Sequence, residues 1–556
     1  MNLAPALRDA AMRWIADDPD PATSDELMRV LAGAMAGTPG AADELADRMA
    51  GMLRFGTAGL RGPVRAGPAG MNVAVVRRAT AGLAAWLGRG GDRSPREPQA
   101  ERASTLVVVG RDARRGSEAF CAAAAEVLAG AGFSVRVLPA PLPTPVLAFA
   151  VRELGAVAGV QITASHNPPA DNGYKVYLAD GAQLAPPSDA EIEAAITAAP
   201  PAVSVPTAAT VTPVDVTEAY LDRLGRLPRG TARTLRIALT PMHGVGGETA
   251  VHALRRAGFT DVHVVASQAA PDPGFPTVAF PNPEEPGATD ALLTLAAEVD
   301  ADLAIALDPD ADRCALAVPT AVTAATTGGR AGWRMLTGDE TGVLLGDHLL
   351  RSGGYTDPLV ATTVVSSSML QSVAAAHGAR YAETLTGFKW IVRGGPGLVY
   401  GYEEALGYCV DPGTVRDKDG IAAAVVACDL AATLKEAGLG LPDRLDELAV
   451  AHGVHATRGV SLRLEPAARD AVVEQLRASP PGGWSAERPA PDVLVLRRGG
   501  ERLVIRPSGT EPKLKAYLQV VEPVADAAVL PAARTAAAAR LDALDAEART
   551  LLSGGP

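Results

Sequence analysis

The sequence is poor in cysteine, and the few cysteines form no metal-binding or redox pattern. Only four occur in 556 residues, at Cys121, Cys314, Cys409 and Cys428. None of them stands at the short spacing of paired zinc ligands or of a dithiol redox motif. Isolated thiols are typical of packing residues in a reducing compartment, so we expect a cytoplasmic protein.

Excess positive charge and long apolar runs are also lacking. The formal net charge is −12, which argues against nucleic acid or an anionic membrane as a partner. No uninterrupted apolar stretch is long enough to cross a bilayer, and we expect no signal peptide, because a basic start with an apolar run is missing. An anionic small molecule is not excluded, because the local charge of a site decides what it binds.

The length and the patterns that are present indicate several globular domains. At 556 residues the chain is too long for one core, so three or four domains are expected. One pattern occurs three times: a buried strand, a loop, a helix and a glycine stop that leads to the next strand. The three copies cover residues 106–138, 235–265 and 359–378. This βαβ signature predicts three related α/β domains whose mixed sheets are covered on both faces.

The C-terminal part has a different pattern of short, partly alternating strands with helices around them. The expected strands cover residues 460–464, 493–497, 503–505 and 514–520. They predict an α+β fourth domain with an antiparallel sheet. The four predicted domains cover residues 1–205, 206–325, 326–440 and 441–556.

The first polar cluster follows a predicted buried strand at residues 157–162. Ser165 lies just beyond the C-terminal end of this strand, where open α/β sheets place their ligands. The Asp-Asn-Gly sequence at residues 171–173 predicts a tight turn that folds Lys175 back toward the serine. His166 and Lys175 are therefore candidate proton-transfer groups, although a Ser-His pair by itself also fits an ordinary capped turn.

Three alternating aspartates follow another predicted strand, at residues 301–307. Asp308, Asp310 and Asp312 would repel one another unless a cation compensates their charge. Oxygen ligands suit a hard ion, Mg²⁺ before Ca²⁺, and a phosphate oxygen on Ser165 would complete its coordination shell. We therefore predict one Mg²⁺ per chain, held by Ser165 and the three aspartates.

Two alternatives to a magnesium site differ in how well they fit the aspartates. A calcium loop of the EF-hand type fails on spacing, because Arg313 and Pro319 stand where that loop needs glycine and glutamate. A solvated acidic turn stays an alternative, but such turns rarely alternate this strictly after an apolar strand.

A phosphate-binding loop is indicated near the C-terminus. Arg506 follows the predicted strand at residues 503–505 and precedes Pro507, Ser508, Gly509 and Thr510. Arginine can grip a phosphate through two hydrogen bonds, and nearby hydroxyl and amide groups can add donors. An ordinary β-turn is the alternative, because Pro-Ser-Gly also satisfies one.

Two adjacent carboxylates are candidate readers of sugar hydroxyls. Glu403 and Glu404 follow a short predicted strand at residues 398–400 and lie between glycines. Each could accept a hydrogen bond from a hydroxyl, whereas an exposed helix start with acidic residues at its positive end is the alternative.

Two further segments carry cations. Gly387, Phe388, Lys389 and Trp390 bring an ammonium group next to an aromatic ring. The glycine-rich loop at residues 54–62 contains two arginines and would either meet an anion or merely turn tightly.

In their order along the chain, these motifs resemble those of the α-D-phosphohexomutase family, the phosphoglucomutases and phosphomannomutases. The order is a Gly-Thr-Ala-Gly-Leu-Arg loop, a Ser-His-Asn-Pro loop, three alternating aspartates, a Glu-Glu loop and an Arg-Pro-Ser-Gly-Thr loop. The resemblance covers nearly the whole chain and implies four domains around a central cleft. Residues 171–177, 387–390 and 417–420 are most similar to the subgroup with phosphopentomutase-active and bisphosphate-forming members.

The resemblance implies a role for each candidate residue. Ser165 would carry the phosphoryl group, and His166 and Lys175 would transfer protons. The three aspartates would hold Mg²⁺ together with that phosphate. The residues implied in substrate binding are Arg61, Arg313, Gly387, Lys389, Glu403, Arg506, Ser508, Gly509 and Thr510.

The reaction implied by the resemblance moves a phosphoryl group between C1 and C6 of a hexose phosphate, glucose or mannose. It passes through a phosphoserine and a sugar 1,6-bisphosphate, which also acts as activator. The implied partners are small sugar phosphates, and the chain would be a monomer or a homodimer.

The choice of sugar is left open by one departure from the family pattern. Ala405 stands where many glucose-type members carry serine, which removes one hydroxyl contact. A phosphopentomutase is therefore an alternative. Two others do not depend on this position: a sugar 1,6-bisphosphate synthase that uses a separate phosphoryl donor, and a phosphatase. A non-catalytic sugar-phosphate sensor is disfavoured by the complete set of nucleophile and metal ligands.

Overall fold

The computed structural model describes residues 3–56, 59–91, 105–320, 332–507 and 513–553. The chain separates into two compact units. The first comprises residues 1–228, 234–334 and 411–426. The second comprises residues 229–233, 335–410 and 427–556. Among the described residues, no helix is both long enough and apolar enough to cross a membrane.

Three helices at the N-terminus form a small cluster of their own. They are α1 (Pro5–Asp17), α2 (Pro21–Met35) and α3 (Ala41–Arg48). Proline occupies the first turn of α1 and α2, where its missing amide hydrogen leaves no hydrogen bond unmade. The buried side chains of Leu27, Leu31 and Leu45 pack at the centre of the cluster.

The first sheet has six strands. They are β1 (Leu60–Pro63), β2 (Leu106–Arg111), β3 (Ser134–Val137), β4 (Ala158–Ile162), β5 (Asp171–Leu178) and β6 (Thr212–Pro213), in the order β1-β5-β4-β2-β3-β6. The associated helices are α4 (Val73–Gly88), α5 (Ser117–Gly130), α6 (Thr144–Glu153) and α7 (Ser188–Thr197). Strands β2, β3 and β4 are parallel, and β5 is antiparallel to β4. Every residue of β4 is buried, which explains its continuous apolar character.

The second sheet has five strands. They are β7 (Arg236–Thr240), β8 (Asp261–Val264), β9 (Leu303–Leu307), β10 (Cys314–Pro319) and β11 (Trp333–Met335), in the order β11-β10-β9-β7-β8. The helices of this region are α8 (Thr217–Leu224), α9 (Gly247–Arg256) and α10 (Asp290–Glu298). Strands β7, β8 and β9 are parallel, and β10 is antiparallel to β9.

The third sheet has four strands. They are β12 (Leu359–Thr363), β13 (Arg380–Thr384), β14 (Leu398–Glu403) and β15 (Gly407–Cys409), in the order β13-β12-β14-β15. The helices of this region are α11 (Gly338–Ser352), α12 (Met369–Ala376), α13 (Phe388–Ile391) and α14 (Gly420–Glu436). Strands β12, β13 and β14 are parallel, and β15 is antiparallel to β14.

The fourth sheet is antiparallel throughout. Its strands are β16 (Val454–Arg463), β17 (Ser485–Ala490), β18 (Val493–Arg498), β19 (Glu501–Pro507) and β20 (Lys513–Glu522), in the order β16-β20-β19-β18-β17. The last helices are α15 (Leu441–His452), α16 (Pro466–Ala478) and α17 (Leu530–Leu552). Short 3₁₀ helices lie at Ala202–Ser204, Ala266–Gln268 and Ala527–Val529. The predicted fold class, three related α/β domains and a C-terminal α+β domain, is confirmed.

The first three sheets share one topology, and three of the sequence motifs occupy the same position in it. In each sheet, a set of three parallel strands is followed by an antiparallel strand: β5 after β4, β10 after β9 and β15 after β14. Ser165 lies between β4 and β5, and the aspartates lie between β9 and β10. Glu403 ends β14, just before β15. The repeated unit therefore includes the hairpin that carries the functional residues.

One local expectation was wrong, because a distant strand supplies pairing partners that the local sequence does not reveal. Asp171, Asn172 and Gly173 form no turn but begin β5, where they pair with β1. The turn lies earlier, and the amide of Asp171 closes it on the carbonyl of Pro168 at 3.0 Å. Glu403 belongs to β14 and pairs with Gly407 across a tight hairpin, so it starts no helix.

Strand β19 also extends beyond the predicted strand at residues 503–505. Strand β19 continues through Pro507, and Arg506 pairs with Lys515 of β20. Arg506 therefore extends from a strand and not from a turn.

Candidate functional site

Ser165 has a strained backbone and a buried hydroxyl group. Its φ is +52°, in the left-handed region that residues other than glycine seldom adopt. The Ser165 amide donates to Thr163 Oγ1 at 2.9 Å, which fixes the start of the loop. The side chain is held on two sides, because Oγ donates to Asp308 Oδ2 at 2.8 Å and lies 3.2 Å from His166 Nδ1.

Arg114 holds the backbone of this loop. Its guanidinium group is buried and lies 5.0 Å from the centre of the Phe275 ring. Four carbonyl oxygens accept hydrogen bonds from it at 2.6–3.1 Å, those of Ser165, Asn167, Pro168 and Asp171. A planar guanidinium group with five N–H donors can reach all four carbonyl oxygens, so one side chain fixes the backbone of the loop.

The three aspartates are buried and stand close together at the hairpin between β9 and β10. Each offers a carboxylate oxygen within 4.8 Å of the others. Asp308 Oδ1 accepts the amide of Arg313 at 3.0 Å. Asp310 Oδ2 accepts from Thr144 Oγ1 at 2.6 Å. These contacts orient the carboxylates before any ligand binds.

Lys175 forms ion pairs with two of the aspartates. Its Nζ donates to Asp310 Oδ2 at 2.7 Å and to Asp312 Oδ2 at 2.8 Å. Burial lowers the pKa of Lys175, but the two carboxylates outweigh burial and the net pKa shift is upward. Lys175 is therefore a cation at neutral pH in this arrangement.

The carboxylates respond differently to burial. Burial raises the pKa of Asp308, and Asp310 and Asp312 raise it further, so it lies well above the ordinary value. Burial also raises the pKa of Asp310 and of Asp312, but nearby cations, above all Lys175, reverse the effect and hold both below the ordinary value. Asp310 and Asp312 are therefore ionised, as metal ligands must be.

The residues present fit a hard divalent cation. The Oδ1 atoms of Asp310 and Asp312 are buried and accept no hydrogen bond within the part of the chain that the structure describes. Unpaired, buried carboxylate oxygens are costly unless a cation meets them. With the hydroxyl of Ser165 and with Asp308, whose proton a bound cation would displace, they form an all-oxygen set of the type that Mg²⁺ prefers.

Three further polar residues support the aspartates and were not selected from the sequence. Lys418 Nζ lies 3.2 Å from Asp312 Oδ2 and 3.3 Å from Asp417 Oδ1. The hydroxyl of Tyr177 donates to Asp417 Oδ2 at 2.7 Å. Lys418 and Asp417 could have been selected from the sequence, because residues 417–420 are similar to the corresponding segment of the phosphohexomutase subgroup.

Arg114 and Thr144 were also missed. Arg114 belongs to a charged run after the buried strand β2, a placement that would have justified selecting it. Thr144 begins helix α6 and is 166 residues from Asp310 in sequence. Nothing in its local sequence indicates that it supports a metal ligand.

The other predicted residues of the first unit lie around the same cluster. Arg61 Nη1 donates to Asn167 Oδ1 at 2.9 Å. Arg313 Nε lies 3.9 Å from Asp312 Oδ1. Burial, followed by the charges of Arg313 and Arg61, holds the pKa of His166 well below its ordinary value. His166 is therefore a neutral imidazole at neutral pH and can accept a proton.

The remaining predicted site residues belong to the second unit. Glu403 is 8% exposed at the end of β14. Gly387 precedes α13 with a φ of +112°, which favours glycine, and Lys389 lies in that helix. Arg506 lies in β19. Ser508, Gly509 and Thr510 lie outside the described residues.

Glu404 predicts a pH dependence of stability. Burial, then Glu403 and Asp339, raise the pKa of Glu404 from 4.5 to about 7. The folded state thus binds this proton more tightly than the unfolded chain, so stability falls as the pH rises from about 4.5 through about 7. Glu404→Gln cannot titrate, and we expect it to reduce the loss of unfolding free energy between about pH 5 and about pH 8 by about 2 kcal/mol.

Urea denaturation at both pH values measures this difference. Glu436→Gln, which changes an exposed glutamate, is the matched control and should leave the pH dependence unaltered. An unchanged pH dependence in Glu404→Gln would contradict the prediction.

The sequence matches models of one protein family along most of its length. The α/β/α domain I of phosphoglucomutase/phosphomannomutase matches residues 52–202, domain II residues 218–321 and domain III residues 337–449. A solved structure of a phosphoglucomutase/phosphomannomutase family protein from Burkholderia thailandensis has the same fold. Its TM-score is 0.67 at 19% identity, over 90% of this chain and 98% of that one.

Three relatives are similar over most of their own length. A Haemophilus influenzae protein named "Probable phosphomannomutase" is 40% identical over 469 residues, 81% of this chain and 93% of that protein. The phosphoribomutase of Saccharomyces cerevisiae is 34% identical over 467 residues, 76% of this chain and 70% of that protein. The glucose 1,6-bisphosphate synthase of Homo sapiens is 30% identical over 583 residues, 93% of this chain and 90% of that protein. The chain therefore belongs to the phosphoglucomutase/phosphomannomutase family of isomerases, the α-D-phosphohexomutases.

Proposed function

We propose that this chain is a phosphosugar mutase that moves a phosphoryl group between C1 and C6 of a hexose phosphate, glucose or mannose. The reaction passes through a phosphoserine at Ser165 and a sugar 1,6-bisphosphate. One observation carries the proposal: the Ser165 hydroxyl donates to Asp308 at 2.8 Å. It does so beside two buried carboxylate oxygens that have no hydrogen bond among the described residues.

In the first half-reaction, phospho-Ser165 donates its phosphoryl group to a sugar monophosphate. The bond from phosphorus to Ser165 Oγ breaks, and a bond to the sugar oxygen forms. The proton of the sugar hydroxyl is lost, and Ser165 Oγ regains one. His166 Nδ1, 3.2 Å from Oγ and neutral, and the cation Lys175 are the proposed proton-transfer groups.

Phosphoryl transfer needs little covalent help from the protein, so positioning and charge compensation carry the rate. Arg114 and the left-handed backbone of Ser165 hold the reacting oxygen in place. Lys175 balances charge on Asp310 and Asp312. Mg²⁺ bound by Ser165, Asp308, Asp310 and Asp312 would neutralise charge on the transferring oxygens.

In the second half-reaction, the bisphosphate turns around and its other phosphoryl group returns to Ser165. Glu403 reads sugar hydroxyls, while Gly387 and Lys389 add contacts to the sugar phosphate. Arg506 with Ser508, Gly509 and Thr510 grips the phosphate that does not react. Arg61 and Arg313 contribute positive charge near the serine.

In this proposal, sugar 1,6-bisphosphate acts as activator, because it restores the phosphoserine. The domains cover residues 1–205, 206–325, 326–440 and 441–556. The enzyme acts in the cytoplasm, as a monomer or a homodimer.

Phosphopentomutase activity is the second candidate. Ala405 lacks the hydroxyl that many glucose-type family members present at this point, which removes a contact that would favour glucose over mannose or pentose. The similarity to a phosphoribomutase supports this reading, and that to a glucose 1,6-bisphosphate synthase supports bisphosphate synthesis as a further alternative.

A substrate comparison tests the proposal. The purified protein receives glucose 1-phosphate, mannose 1-phosphate or ribose 1-phosphate, each with and without sugar bisphosphate. We expect isomerised hexose phosphate, with a higher rate when bisphosphate is present, because bisphosphate loads Ser165. Coupled assays of the 6-phosphate and 5-phosphate products give kcat/KM for each sugar.

The other outcomes separate the alternatives. A higher kcat/KM for ribose 1-phosphate supports the phosphopentomutase. Net bisphosphate made from another phosphoryl donor supports the synthase. Free phosphate without isomerisation identifies a phosphatase and contradicts the proposal.

A further inference from the structure

Three consecutive serines link the hairpin between β14 and β15, which carries Glu403 and Glu404, to the antiparallel sheet of the second unit. Ser366, Ser367 and Ser368 form the turn between β12 and α12, and each makes hydrogen bonds outside the turn. We call these residues the serine turn. The proposed catalytic roles do not use them.

Ser366 contacts both Glu404 and the antiparallel sheet. Its Oγ donates to Glu404 Oε2 at 2.9 Å and accepts the Glu404 amide at 3.3 Å. Its carbonyl oxygen accepts from Nη2 of Arg502, which lies in β19. One residue thus joins the neighbour of Glu403 to the strand that carries Arg506.

Ser368 and Ser367 also connect the turn to the antiparallel sheet, Ser368 through Gln519 and Ser367 through Asp339. The Ser368 amide donates to Gln519 Oε1 at 2.8 Å, and Gln519 Nε2 donates back to Ser368 Oγ at 2.7 Å. The Ser367 amide donates to Asp339 Oδ1 at 2.7 Å. Thr457 of β16 donates to the other oxygen of Asp339 at 3.0 Å.

Arg502 joins the serine turn to two further side chains, those of Gln519 and Glu383. It is 3% exposed. Besides Ser366 it donates to Gln519 Oε1 at 3.0 Å and to Glu383 Oε1 at 3.1 Å. Residues 502 and 506 are four apart in β19, so Arg502 and Arg506 lie on the same face of the strand.

We propose that Arg502 is a positioning residue that holds Arg506 at a fixed span from Glu403 and so selects the sugar phosphate by its length. The proposal rests on the proposed function, in which Glu403 reads the sugar hydroxyls and Arg506 grips the phosphate. The serine turn transmits the constraint between the two.

A fixed distance between Glu403 and Arg506 discriminates between sugar phosphates of different size, because it cannot adapt to a shorter substrate. A hexose phosphate in a six-membered ring and a pentose phosphate in a five-membered ring hold their phosphate and their ring hydroxyls at different distances, which we take to differ by on the order of 1.5 Å, one C–C bond length. A misplacement of about 1 Å is enough to cost roughly 100-fold in rate. The buried contacts of Arg502 are costly to break, so thermal motion does not easily relax the span.

Arg502→Gln tests the inference. The variant keeps some hydrogen-bonding capacity but loses the planar fork that joins three acceptors. With hexose and pentose 1-phosphates as substrates, we expect their kcat/KM ratio to move toward unity by about tenfold. KM should rise more than kcat falls, because the Ser165 site lies in the other compact unit.

Arg540→Gln is the matched control. Arg540 pairs with Glu522 at 2.6 Å in the same antiparallel region and makes no contact with the serine turn. It should leave the ratio unchanged. If Arg502→Gln does not fold, Ser368→Ala is the second variant. It removes the bond from Gln519 Nε2 to Ser368 Oγ at little cost in volume and keeps the bond from the Ser368 amide to Gln519. The ratio should move in the same direction.

Failure of this inference differs from failure of the proposed function. A wild-type protein that isomerises one sugar phosphate in preference to another, together with a folded variant of unchanged ratio and KM, overturns the role of Arg502. Equal kcat/KM of the wild type for both lengths also overturns it. A wild-type protein that isomerises neither sugar overturns the proposed function.

Discussion

Ser165→Ala should lose isomerisation by about four orders of magnitude or more, as expected when a covalent nucleophile is removed. The hydroxyl is the group that would carry the phosphoryl group, and alanine cannot replace it. The surrounding contacts give no substitute: Ser165 Oγ is the hydroxyl that donates to Asp308, and the neighbouring Thr163 Oγ1 is occupied by the Ser165 amide. Coupled assays of product formation in the presence of bisphosphate measure the loss.

Intact-mass measurement gives a second readout for this variant. Wild-type protein incubated with sugar bisphosphate should gain one phosphoryl group, and Ser165→Ala should gain none. Ser485→Ala, which changes an exposed serine, is the matched control and should behave as wild type in both measurements. Near-normal turnover by Ser165→Ala would refute the assignment of the nucleophile.

Asp310→Asn should abolish most Mg²⁺ binding and reduce isomerisation by about three orders of magnitude. The change is nearly isosteric, but it removes one negative charge and one ligand oxygen from a buried site. Asp310 Oδ2 already serves Thr144 and Lys175, so Oδ1, which has no hydrogen bond within the described chain, is the atom left for a cation. An amide that turns its NH₂ group toward the cation would repel it.

Calorimetric titration with Mg²⁺ measures binding independently of turnover. We expect saturable binding at one site in wild-type protein and at least about 100-fold weaker binding in Asp310→Asn. Asp290→Asn, at an exposed position of α10, should bind as wild type. Chelation should inactivate wild-type protein reversibly. Unaltered Mg²⁺ affinity in Asp310→Asn would contradict the proposed ligand set.

Much of the fold could be predicted because many of its strands and helices have recognisable local sequence patterns. The buried strands β2, β7 and β12 are short apolar runs, and each is followed by a helix. The sequence pattern therefore revealed the three related α/β regions and the different C-terminal sheet. It did not reveal the antiparallel strands that complete each hairpin, since these depend on pairing.

The error arose where a residue's conformation is decided by a distant partner. Asp171, Asn172 and Gly173 have strong local turn propensity, yet pairing with β1, more than 100 residues earlier, draws them into β5. Glu403 and Arg506 lie in strands for a different reason, since each pairs with a nearby residue of the next antiparallel strand, Gly407 and Lys515.

The sequence alone determined which side chains were candidates, because nucleophile, carboxylates and phosphate-binding groups occur in motifs of recognisable order. Only the tertiary structure decided which of them meet and what supports them. Lys175 was expected near Ser165 as a proton-transfer group, and the tertiary structure gives it ion pairs with Asp310 and Asp312 that no local pattern indicated. Arg114 and Thr144 contribute contacts that no motif announced. The reason is physical: residue chemistry is local, whereas burial and pairing depend on atoms brought together from distant parts of the chain.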